Sequence, residues 1–153
     1  MEGLMPISFE IEEPKLLSVN EQYIHPVRKS KRGGYFSYFA PSPALKELQA
    51  FYQEVLPEKI SDEDIAKLKE YVEQGKDYGL ELEIIIGMPI KKLDDADASN
   101  LIKSIEDCIV KRTGIDDSKN YRVTVEKAQY ENDGKFKLKV TLSAYPLHVL
   151  DII

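Results

Sequence analysis

The chain has 153 residues, 42% of them hydrophobic and 31% charged. That composition fits one globular domain over residues 1–153 and excludes a disordered, collagen-like or rod-like chain. Lys and Arg number 21 against 27 Asp and Glu, a net charge of −6, and this balance alone argues against a nucleic-acid binder.

The distribution of charge changes that reading. Residues 57–83 hold nine acids and four bases, leaving only −1 for the rest of the chain. Within that remainder Arg28-Lys29-Ser30-Lys31-Arg32 places four positive charges in five residues. No apolar run approaches the ~18 residues of a membrane span, so no membrane partner is expected. The opening Met1-Glu2-Gly3-Leu4-Met5-Pro6 lacks a basic start and a long apolar stretch, so no signal peptide is expected. Cys108 is the single cysteine and has no disulfide partner, which suits a reducing, cytoplasmic location.

In chain order, Ile7 to Ile11 alternates apolar and polar residues and predicts a strand with one buried face. Glu12 to Gln22 reads as a loop. Tyr23-Ile24-His25 and Tyr35 to Phe39 flank the basic run and Gly33-Gly34, predicting a hairpin with a long charged tip. Ser42-Pro43 predicts a helix start, with Leu45, Leu48, Tyr52 and Val55 on one face and Pro57 as its end. Ser61, with Asp64 three residues on, starts a second helix over about 61–75 that is acidic on its outer side. Leu80 to Met88 alternates and then becomes wholly apolar, as a central strand does, and Pro89 stops it.

Leu93 to Ser99 is an acidic loop. A helix over about Asn100 to Arg112 follows, with Leu101, Ile105, Cys108 and Ile109 facing inward and Gly114 as its stop. Tyr121 to Val125 and Lys135 to Ala144 read as a second hairpin joined through Asn132-Asp133-Gly134. The apolar tail, 146–153, has no assignment. The expected class is α+β, a mixed β-sheet with helices packed on one face.

Chemistry concentrates at Asp94, Asp95, Asp97, Ser99, Asn100 and Lys103, followed by Asp107 and Asp116-Asp117. The first group lies where a central strand hands over to a helix, the second where that helix leads to the next strand. Carboxylates from two such places can converge on a hard cation such as Mg²⁺, and a lysine one turn into the helix adds charge for a phosphate. The same acids also suit helix caps and a strand-entry turn, so both readings stand on spacing alone. Cys108 reads as a core residue. His25 and His148 share no ligand spacing, and the Tyr35–Phe39 aromatics read as hairpin packing.

Asp97-Ala98-Ser99-Asn100-Leu101-Ile102-Lys103, Glu106-Asp107 and Gly114-Ile115-Asp116-Asp117 together resemble the RusA family of Holliday junction resolvases. That family shows Asp-x-Asp-Asn-x-x-Lys, an Asp four residues later, and an Asp-Asp pair before a strand ending in Lys, here Lys127. Ser18-Val19-Asn20-Glu21-Gln22-Tyr23 is similar to the family's Asn-containing loop. The resemblance covers roughly Ile7 to Tyr145, with the acidic helix as an addition. It implies a RusA-like fold and a homodimer that binds four-way DNA junctions and nicks them with Mg²⁺, or Mn²⁺ in its place.

On that resemblance Asp97, Lys103 and Asp117 are catalytic. Asp97 and Asp117, with Asp95 in support, hold the metal. Ser99, Asn100, Asp107 and Asp116 stand around them, and Arg28, Lys29, Lys31, Arg32 and Lys127 contact DNA. One position departs from the pattern: Ser99 replaces the family's second Asp, a neutral hydroxyl where a carboxylate would stand. Two alternatives accompany this reading: a junction-binding protein with weak or no cleavage, and an α+β interaction module that binds no nucleic acid.

Overall fold

The computed structural model of the chain describes residues 6–13, 23–24, 26–37 and 40–151. The fold is α+β. Strands β1 (Ile7–Glu13), β6 (Tyr78–Met88), β7 (Asn120–Gln129) and β8 (Phe136–Pro146) form a mixed sheet in the order β1-β8-β6-β7. β1 and β6 run antiparallel to β8, and β7 runs parallel to β6.

Register aligns the apolar residues into rows on one face of the sheet. Ile7, Leu142, Leu82 and Val123 make one row; Phe9, Val140, Ile84 and Val125 the next; Ile11, Leu138 and Ile86 the third, which ends on Lys127. The helices α1 (Pro43–Lys59), α2 (Asp62–Val72), α3 (Ala98–Leu101) and α4 (Lys103–Thr113) complete the core over that face. The opposite face carries cross-strand polar pairs, among them Lys137–Glu10 at 3.1 Å and Arg122–Glu81 at 3.2 Å.

The hairpin expected from the Asn132-Asp133-Gly134 signal takes a different form. The turn has the anticipated backbone, φ 53° at Asp133 and 74° at Gly134, yet β7 and β8 are not neighbours. β6 lies between them, because its apolar run needs a partner strand on each side. Gly87 lies under the crossing chain: a Cβ there would stand 2.8 Å from Tyr130 Cβ. At the other end of β6, a Cβ on Gly79 would stand 2.2 Å from Tyr121 Cγ, so the strand is small at both points where an aromatic crosses it.

Two helix boundaries also differ from expectation. Pro57 lies inside α1, which continues to Lys59. A proline in the final turn removes one backbone hydrogen bond, while Leu56 and Ile60 on either side of it are buried. The helix expected over 100–112 is two pieces, α3 and α4, bent at Ile102. Leu101 and Ile102 are both buried; adjacent residues point 100° apart in a straight helix, and the bend admits both to the core.

The expected caps are present. Ser42 Oγ accepts from Leu45 N–H and Ser61 Oγ from Asp64 N–H, each at 3.1 Å. Gly114 ends α4 in the left-handed conformation at φ 72°. Arg112 ties α4 to the α1–α2 junction, donating to the Ile60 carbonyl at 3.0 and 2.6 Å and to Asp62 at 3.0 Å.

The basic segment is a ribbon of two short pairs. β3 (Val27–Lys29) pairs with β4 (Tyr35–Ser37), and β2 (Tyr23–Ile24) pairs with β5 (Ala40–Pro41). Arg28 and Lys29 therefore belong to a strand, and only Lys31 and Arg32 to the turn. The loop around Asn20, His25 and the Tyr38-Phe39 pair lie outside the described residues, as does the side chain of Arg28. No helix among the described residues is long and apolar enough to cross a membrane.

Candidate functional site

The site is built at the crossover that joins the parallel strands β6 and β7. Parallel neighbours need such a crossover, and here it contains the acidic loop, α3 and α4. Asp94, Asp95 and Asp97 lie beyond the carboxyl end of β6, whereas Asp117 stands before the amino end of its parallel neighbour β7, so the two groups of acids leave from opposite ends of the paired strands.

α4 begins with Lys103, whose ammonium donates to Asp107 Oδ1 at 3.0 Å, one turn on. The same Nζ lies 3.7 Å from Asp117 Oδ2, brought in by the short 3₁₀ turn Asp117–Lys119 that leads into β7. All three side chains are close to half exposed, so solvent and a ligand can reach them. The hydrogen bond from Lys103 to Asp107, with the charges of Asp107, Asp117 and Glu106, raises the lysine pKa above its ordinary value. Lys103 therefore remains a cation throughout the neutral range and is no proton acceptor there.

Glu106 and Asn120 join this cluster without a spacing signal of their own beyond the turn of helix between Glu106 and Lys103. Asn120 Nδ2 stands 3.4 Å from Glu106 Oε2. Burial raises the Glu106 carboxyl above its usual pKa, against the opposing pull of Lys103.

The other acids divide between structural duty and freedom. Asp116 Oδ2 accepts from Ser118 N–H at 3.2 Å, which caps the 3₁₀ turn; hydrogen bonding from the Ser118 hydroxyl, then from its N–H, lowers the Asp116 pKa. Asp95 pairs with Lys92 at 3.6 Å. Asp97 occupies the N-cap position of α3, yet its carboxylate makes no capping hydrogen bond. Ser99 and Asn100 are exposed in the first turn of α3, and the Asn100 amide donates to the Asp97 carbonyl at 3.0 Å.

Lys127 has a defined place. It is half-buried at the end of the third core row, and its ammonium donates to the Leu93 carbonyl at 2.5 Å and to the Ala96 carbonyl. Two of its three N–H donors thus hold the loop that carries Asp94, Asp95 and Asp97. Lys29, Lys31 and Arg32 are exposed on the separate ribbon.

The donor chemistry fits a hard divalent cation in one respect. Two carboxylates, Asp107 and Asp117, turn their oxygens toward a single positive centre, here the Lys103 ammonium. Among the described residues no three His, Cys, Asp or Glu side chains converge as a metal site. Water and substrate phosphate would therefore complete the shell, as Mg²⁺ commonly requires.

No protein-family model matches the chain, and no curated protein matches it.

Proposed function

We propose that the chain is a RusA-type, Mg²⁺-dependent endonuclease that binds four-way DNA junctions as a homodimer and hydrolyses phosphodiester bonds. The observation that carries this reading is the approach of Lys103 to Asp117 at 3.7 Å, two residues the resemblance pairs and the chain keeps apart in sequence. The Asp97 carboxylate, which makes no capping hydrogen bond to α3, supports it, since a purely capping acid would bond its helix.

In this reading Lys103 sets a fixed positive charge against a non-bridging phosphate oxygen, where charge grows as water adds to phosphorus. Asp107 holds the ammonium in position and keeps it protonated. Asp117, which faces the same centre as Asp107, would hold the divalent ion, with Asp97 the second ligand on the resemblance alone; the bound ion would polarise the phosphoryl group and lower the pKa of its water. Lys127 acts as a positioning residue through the loop of Asp97. Lys29, Lys31 and Arg32, with Arg28, supply backbone contacts that orient DNA without reading sequence.

A second reading is favoured by Ser99 and by the lack of a three-ligand group among the described residues: junction binding without cleavage. Gel-shift titration of a labelled four-way junction over a series of salt concentrations separates both readings from a module that binds no nucleic acid. Binding that weakens steeply with salt is expected; absent or salt-insensitive binding overturns the assignment.

A further inference from the structure

A cleft of about 280 Å³ lies between α1 and α4. Its apolar part includes Tyr52, Leu56 and Cys108, all buried. Tyr52, only 1% exposed, has a hydroxyl with no hydrogen-bond partner among the described residues, a rare state for a buried polar atom that a ligand or water would relieve. Gln49 and Gln53 contribute side-chain amides, each both donor and acceptor. Lys111 is exposed and has no ion-pair partner among the described residues, whereas its neighbour Arg112 is committed to Ile60 and Asp62.

An apolar slot, amides beside it and the exposed Lys111 ammonium, unpaired among the described residues, match the parts of a deoxynucleotide: a flat base, its hydrogen-bonding edge and a phosphate. The volume lies just below the ~300–1,000 Å³ range of small-ligand sites, which limits the occupant to about one nucleotide and excludes a duplex. Position adds to this. Asp107 lines the cleft and also accepts the hydrogen bond from Lys103, so the cleft adjoins the proposed reacting cluster.

We infer that this cleft receives one unpaired deoxynucleotide of the DNA strand held at Lys103, an inference that rests on the function proposed above. A base displaced at a branch point loses its stacking partners, and the cleft replaces them with apolar side chains and amides.

The test is a titration of the ¹⁵N-labelled full chain with dAMP, deoxyadenosine and deoxyribose 5-phosphate, followed by amide and glutamine side-chain shifts. Saturable shifts at Gln49, Gln53 and Lys111 are expected with dAMP, with at least tenfold weaker binding of deoxyribose 5-phosphate. Lys111→Ala should weaken dAMP and leave deoxyadenosine unchanged. Gln53→Trp, at an exposed position, should fill the cleft and abolish the shifts without lowering the melting temperature. No saturable shifts, shifts centred elsewhere, or equal binding of deoxyribose 5-phosphate would overturn the inference. Salt-dependent junction binding without dAMP shifts removes the cleft proposal alone; absence of junction binding removes the functional reading on which it rests.

Discussion

Lys103 and Asp117 meet at 3.7 Å although a whole helix separates them in the chain. The contact exists because α4 ends at Gly114 and the chain returns alongside it to the 3₁₀ turn that enters β7. Asp107 fixes the other side of the same ammonium at 3.0 Å. Asp107→Ala removes the hydrogen bond that is the largest cause of the raised Lys103 pKa, together with the Asp107 charge. Lys103 is protonated below its raised value and neutral above it, so the variant's nicking should decline at a lower alkaline pH than wild type. At neutral pH the loss should be roughly ten- to a hundredfold, as for removal of other orienting partners. A pH profile of nicking with junction affinity measured in parallel checks this, and an unshifted alkaline limb would contradict it.

Ser99→Asp places a carboxylate in the first turn of α3, two residues beyond Asp97, which makes no capping hydrogen bond. A helix N-terminus favours an acid there, and a further anion strengthens binding of a hard cation. Cleavage at low Mg²⁺ should increase. Asp95 is drawn toward Lys92, so Asp95→Asn should leave cleavage unchanged. Nicking against Mg²⁺ concentration for both variants decides the matter; loss of activity in Asp95→Asn would show that Asp95 already fills the missing place.

The strand β6 was legible because its apolar run extends through both faces of a central strand, and the caps at Ser42 and Ser61 because a hydroxyl before a helix has one local job. The pairing of β8 was not. Its turn residues adopt the conformation their identities favour, but the choice of neighbour follows from burying β6, a demand that no local spacing expresses. The site divides in the same way. Lys103 and Asp107 lie one turn apart on a helix and so are neighbours by geometry. Lys103 and Asp117 were linked only through the resemblance, and Glu106 with Asn120 only through the fold. Lys127, which the resemblance assigns to DNA, also donates to the Leu93 and Ala96 carbonyls, backbone atoms that no side-chain pattern announces.

Neutralising Arg28, Lys29, Lys31 and Arg32 together should weaken junction binding and flatten its salt dependence. Each lost phosphate contact removes about 0.9 from the log–log slope on duplex DNA. Affinity measured across a salt series checks the effect, and an unchanged slope would show that the ribbon faces solvent in the complex.

Burial raises the Glu106 carboxyl pKa. For an acid with a raised folded-state value, ionisation opposes folding, so stability falls as pH rises from the ordinary carboxylate range through that value. Glu106→Gln keeps an oxygen for Asn120 and removes the charge. Its melting temperature should exceed that of wild type at pH 7, and the difference should close as pH falls below the ordinary range. A difference that persists unchanged at low pH would contradict this.

Lys127→Met removes the donors to the Leu93 and Ala96 carbonyls while keeping an unbranched side chain one atom shorter. A loss of about 1–3 kcal/mol is expected, the range for leaving such acceptors unsatisfied. Denaturant melts measure the loss, and faster amide exchange confined to residues 93–100 would locate it.

The central claim is hydrolysis at the Lys103 cluster, and the most direct measurement is incubation of a labelled four-way junction with the chain and Mg²⁺, beside Asp117→Asn. The account predicts paired, Mg²⁺-dependent nicks by wild type, with junction binding but no nicking by Asp117→Asn. Nicking by Asp117→Asn at the wild-type rate, or no nicking by a wild-type chain that binds the junction, would contradict it.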